Sequence, residues 1–182
     1  MVVYIQYMGS RHTTAAHSTV TIDDINSAEL LRRAIVGARP RGVGATRRDS
    51  DGNVWIDGEI DSYAGFSGLV HRRRLYLAAN GGDLRGEDSL SGAGRRKFAV
   101  RFHLHPTVTA SLAQDGESVL LRLGDGDGWR FRASGGATGL QESVYLGLEG
   151  ETRRTEQIVV SGAALDGEAL VKWAITRTAN PS

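Results

Sequence analysis

Glycine-bearing turn pairs recur along this chain at short intervals: Asp51-Gly52, Asn80-Gly81-Gly82, Asp115-Gly116, Asp125-Gly126-Asp127-Gly128, Ser134-Gly135-Gly136 and Asp166-Gly167. Asn-Gly and Asp-Gly supply the positive φ angles of type I′ turns, so a chain punctuated in this way folds into short strands rather than long helices. The stretches between the turns agree. In Trp129-Arg130-Phe131-Arg132-Ala133 the apolar residues fall on one face and the two arginines on the other. Val54, Ile56 and Ile60 alternate likewise with Trp55, Asp57 and Glu59. Further strands are expected near residues 18–22, 43–49, 68–78, 84–90, 97–105, 107–113, 118–123, 142–147, 153–161 and 169–177. Roughly a dozen strands crowd a single open sheet, so the expected fold is all-β, a two-sheet antiparallel sandwich. The one helical pattern is SAELLRRAI from Ser27 to Ile35, with Ser27 as its N-cap, and it is short for a helix. No repeat, low-complexity segment or linker divides the chain, so residues 1–182 read as one domain.

Charge narrows the range of partners. Lys and Arg total 22 against 21 Asp and Glu, which argues against a dedicated nucleic-acid or membrane-surface binder and leaves recognition to local patches. The absence of cysteine removes disulfides, thiolate nucleophiles and Cys-based metal sites. The opening MVVYIQYM is apolar but short and has no basic region before it, so it reads as a strand rather than a signal peptide or a span.

Several segments carry side chains with chemistry. In FAVRFHLH, Phe98, Val100, Phe102 and Leu104 share one face while Arg101, His103 and His105 share the other. Imidazoles at i, i+2 lie about 7 Å apart at the backbone and would converge on zinc given a third ligand. The competing reading is a solvated or anion-contacting face, which Arg101 favours. LVHRRRLYLA sets His71 and Arg73 opposite Arg72 and Arg74. Arginine forks there would recognise carboxylate or sulfate groups, or would pair across strands with Glu87 and Asp88. Trp55, on the polar face beside Asp57 and Glu59, suits sugar stacking or burial beneath a neighbouring segment. GDGDG at 124–128 lacks the closing carboxylate of a calcium loop and reads as a hairpin turn. No GxSxG elbow is present, and His17 reads as a hydrogen-bonded histidine near a strand start.

TAAHSTVTIDD, GLVHRRRLYLAANGGDLRGEDSL, FAVRFHLHP and YLGLEGETRRTEQIVVSG together resemble the C-terminal portion of the heparinase II/III-like polysaccharide lyases, in order from about Ser10 to Arg177. The resemblance implies the β-sandwich of a protein whose N-terminal α-helical toroid is absent from this chain. It implies β-elimination on uronic-acid polysaccharides, with the catalytic tyrosine and most substrate contacts on the toroid. His17 matches the family's later zinc-ligand histidine, and the earlier ligands would precede Met1, so the zinc site is expected to be incomplete here. His103 and His105 belong to a different block from the family's ligand pair. Lyase activity from this chain alone is therefore not expected. The expected partners are an acidic polysaccharide, contacted by Arg72, Arg74, Trp55, His103 and His105, and the toroid; family habit places such proteins in the periplasm. Strand edges left uncovered are expected to favour a homodimer. The alternative is a stand-alone acidic-carbohydrate-binding or structural interaction module.

Overall fold

The computed structural model describes residues 14–25, 42–61, 68–147 and 152–178. The expected helix at Ser27 to Ile35 and the opening MVVYIQYM lie outside them. Twelve strands are present: β1 Val20–Ile22, β2 Val43–Ser50, β3 Asn53–Ile60, β4 Leu69–Leu77, β5 Asp83–Gly92, β6 Arg96–His103, β7 Thr109–Leu112, β8 Ser118–Arg122, β9 Gly128–Ser134, β10 Ala137–Leu146, β11 Thr152–Ala164 and β12 Ala169–Arg177. They form a four-stranded sheet in the order β1-β6-β11-β10 and an eight-stranded sheet in the order β2-β3-β4-β5-β12-β9-β8-β7. Every pairing is antiparallel, which makes the fold an all-β sandwich.

Most expected strands appear within a few residues of their expected limits. The largest departure is β10, which begins at Ala137 rather than near residue 142. Its first half, ATGLQ, is weak in strand formers and is held by pairing with β11, from Ala137 opposite Ser161 to Gln141 opposite Gln157. The turn signals also divide into two kinds. Asp51 and Gly52, at φ 52° and 76°, close a two-residue hairpin between β2 and β3. Asp166 and Gly167 have nearly the same geometry, φ 51° and 79°, yet they carry the chain from β11 in the small sheet to β12 in the large one. Ser134-Gly135-Gly136 likewise switches sheets, from β9 to β10.

The core lies between the sheets. Phe98, Val100 and Phe102 of β6, with Ile158 and Val160 of β11, face Leu69, Leu90, Val119, Phe131, Val171 and Trp173. The Phe102 ring sits 4.9 Å from that of Phe131 and 4.8 Å from that of Trp173, tying the two layers together. The large sheet is twice as wide as the small one, and β2, its edge strand, is exposed along its whole length.

Candidate functional site

Strand alternation sorts the polar side chains into three places: between the sheets, on the outer face of the large sheet, and on the outer face of the small sheet. Between the sheets, His71 of β4 and Asp88 of β5 are buried. Asp88 is a hub. One carboxylate oxygen accepts hydrogen bonds from His71 Nε2 at 2.7 Å and Arg73 Nε at 2.6 Å; the other accepts from Trp173 Nε1 at 2.8 Å and Arg73 Nη2 at 3.1 Å. Arg73 also donates through Nη1 to the Ser18 carbonyl at 2.5 Å, so the hub reaches the segment that leads into β1. Burial pushes the Asp88 carboxyl upward, but the His71 hydrogen bond and the Arg73 charge outweigh it and leave the group at about 2. The expected pairing of this arginine strand with Glu87 and Asp88 is what the structure contains.

On the outer face of the large sheet stand Trp55, Arg72 and Arg74, brought together by the β3–β4 pairing. Arg72 clamps Asp57 with both Nε and Nη2, the former at 2.7 Å. Arg74 lies 3.8 Å from Asp57 and 3.4 Å from Glu87. Two of the expected anion contacts are thus already engaged by carboxylates of the protein itself. Trp55 packs 5.3 Å from the Tyr76 ring, with the Arg48 guanidinium 4.6 Å above the indole. A guanidinium, rather than a loop, covers this tryptophan.

His17, His103 and His105 belong to the opposite side of the sandwich. His103 Nε2 donates to the Ala15 carbonyl at 2.9 Å, Ser143 Oγ donates to Nδ1 at 2.8 Å, and the His103 amide donates to Ser18 Oγ at 3.1 Å. These partners fix the neutral Nε2–H tautomer. Burial is the main influence lowering the His103 pKa; the Ala15 bond opposes it, and the nearby charges of Arg101 and His17 add to it. His17 therefore sits beside His103 at the start of the small sheet. His105 turns away: its Nδ1 is 2.8 Å from Thr107 Oγ1, and its ring meets that of Tyr145 edge-on at 5.0 Å.

A zinc ion needs three or four nitrogen, sulfur or oxygen ligands. Both ring nitrogens of His103 are spent on the protein, and among the described residues no group of three or more His, Asp or Glu converges. The described residues do not fit a zinc site by themselves. The GDGDG stretch is a turn, in which Asp125 accepts the Asp127 amide and Asp127 accepts Arg177.

Residues 10–174 match the family described as heparinase II/III-like, C-terminal. This chain belongs to that family. Among curated proteins, the heparinase II/III-like chain is 36% identical over 185 residues to FtsZ-localized protein C of Caulobacter vibrioides, covering 89% of itself and 31% of that protein. Among solved structures, it is similar to the heparan sulfate lyase HepC of Pedobacter heparinus, with a TM-score of 0.75, 13% identity, and coverage of 98% of this chain and 28% of that one. A heparinase III gives a TM-score of 0.71 at 12% identity, over 93% of this chain and 24% of that one. The heparinase II/III-like chain thus spans about a third or less of each of these relatives, and the likeness to the lyases at such identities is one of fold.

Arg48, Tyr76, Arg85, Arg130 and Arg132 form a group that no sequence pattern marks. The alternation of WRFRA sets Arg130 and Arg132 on the face opposite Trp129 and Phe131. Alternation does not name the neighbour, because β9 reaches the arginine-rich strands only through β12.

Proposed function

We propose that this chain is the β-sandwich of a polysaccharide lyase that acts by β-elimination on uronic-acid polysaccharides, and that it packs against an N-terminal helical domain rather than carrying the reaction alone. The carrying observation is the family match over residues 10–174. In β-elimination a base removes the proton next to the sugar carboxylate, and neutralising that carboxylate makes the proton accessible. The family resemblance puts the tyrosine and most substrate contacts on the helical domain. It also has the sandwich supply a histidine to the cleft, and His17 is the residue that matches a zinc-ligand position of the family. Ser18 supports this assignment, because its carbonyl accepts Arg73 and its hydroxyl accepts the His103 amide, which holds the TAAHST segment against both layers. Co-expression of this chain with the family's helical domain is expected to give an unsaturated product absorbing in the ultraviolet from an acidic polysaccharide, and this chain alone is expected to give none. A co-purifying pair with no product on any uronic-acid polymer removes the lyase reading.

A second reading is favoured by the 36% identity to FtsZ-localized protein C, far above the 12–13% shared with the lyases. Here the sandwich serves as an interaction module of a protein that localises with FtsZ. A fluorescent fusion of the parent protein is expected to colocalise with labelled FtsZ if this reading holds; a distribution independent of FtsZ excludes it.

A further inference from the structure

Outward side chains of the large sheet line up in a row that crosses six strands: Arg48 on β2, Trp55 on β3, Tyr76 on β4, Arg85 on β5, Ala174 on β12 and Arg132 on β9. Because Ala174 is short, a trough opens between Arg85 and Arg132. It forms part of a groove of about 680 Å³ that also takes in Arg74, Arg130 and Lys172. The aromatic end carries cations over its rings, Arg48 over Trp55 at 4.6 Å and Arg85 over Tyr76 at 6.0 Å.

The cations of this face are not equivalent. Arg72 and Arg74 are held by Asp57 and Glu87, Lys172 lies 3.8 Å from Glu87, and Arg85 is bound to Asp83 at 2.7 Å. Arg48, Arg130 and Arg132 make no ion pair among the described residues, and Arg132 feels Asp115 only through space. Arg130 Nε is buried with no hydrogen-bond partner among the described residues. A buried donor without an acceptor is costly, and an incoming anion would relieve it.

We propose that this groove binds a linear acidic glycan, with the guanidinium groups of Arg130 and Arg132 inside it and of Arg48 stacked on Trp55 beside it holding its carboxylate or sulfate groups, and the Trp55–Tyr76 pair lining its aromatic end. The site lies on the side of the sandwich opposite His17 and His103 and shares no residue with them; only the class of polymer rests on the lyase reading. Two features favour a glycan over an acidic peptide. Arg85 and Arg132 stand two strand spacings apart, about 10 Å, close to the length of a disaccharide, whereas same-side residues of an extended peptide repeat at about 7 Å. The strands beneath the trough, β5, β12 and β9, are paired on both sides, so a peptide finds no free edge there for a backbone ladder.

The test titrates the full chain at low salt with a heparin octasaccharide, an unsulfated uronate octasaccharide and an octaglutamate peptide, by calorimetry. At least one glycan is expected to bind, with affinity about tenfold lower in Arg132→Ala and in Arg48→Ala, unchanged in Lys97→Ala on β6 of the other sheet, and octaglutamate about tenfold weaker than the glycan. Thermal melts verify that each variant is folded. Undiminished binding by both arginine variants, octaglutamate binding as tight as the glycan, or no binding of either glycan overturns the proposal. Lyase activity in the co-expressed protein without glycan binding by the chain would overturn the groove and leave the lyase reading intact. Groove binding without lyase activity would do the reverse.

Discussion

Asp88→Ala is expected to destabilise the full chain by about 3–5 kcal/mol in chemical denaturation, because it leaves buried charge without its partner. Four hydrogen bonds converge on this carboxylate, from His71, Arg73 twice and Trp173. Removing it strands the buried donors of His71 and Trp173, and the half-buried Arg73 keeps only the Ser18 carbonyl as an acceptor among the described residues. The same group also shapes the acid response. Its folded pKa of about 2 lies below the ordinary aspartate value, so the folded state binds fewer protons than the unfolded chain on the way down. Its contribution of about 2 kcal/mol is complete above pH ~5 and is lost as pH falls toward 2. Stability measured from pH 5 to pH 2 is expected to fall by that amount in the parent chain, and Asp88→Asn is expected to lack this component. An Asp88→Asn variant with the same pH slope as the parent would show that other carboxylates set the acid limit.

The second large effect is expected at Trp173. Trp173→Ala should cost about 3–5 kcal/mol, since it empties the space against Phe102 and removes a donor to Asp88. Trp173→Phe separates the two losses: most of the packing survives while one Asp88 oxygen is left short of a donor, at about 1–3 kcal/mol. The ring needs Gly86 opposite it on β5, where a Cβ would come within 2.1 Å of the indole. Equal destabilisation by the alanine and phenylalanine variants would mean that the hydrogen bond, and not the packing, dominates this position.

A large part of this protein is legible in the residues alone. The Asp-Gly and Asn-Gly pairs and the period-two runs between them determine an all-β chain with about a dozen strands, because positive φ at a turn and alternation along a strand are local properties. Alternation alone also sets Trp55, Arg130 and Arg132 opposite the apolar residues of their strands, and Arg72 and Arg74 opposite His71 and Arg73. What alternation cannot supply is which strand lies beside which. The turns at Asp51-Gly52 and Asp166-Gly167 are nearly identical locally, yet the first joins neighbours in one sheet and the second changes sheets. Only the tertiary structure inserts β12 between β5 and β9, since that placement depends on burying Val171, Trp173 and Ile175 against Phe102 and its neighbours. That one insertion brings Trp173 onto Asp88, sets Ala174 between Arg85 and Arg132, and puts the arginine groove on the side of the sandwich opposite the histidines. The sequence determines the strands and their faces because those follow from each residue and its neighbours along the chain. The sites are decided by long-range burial, which no local pattern records.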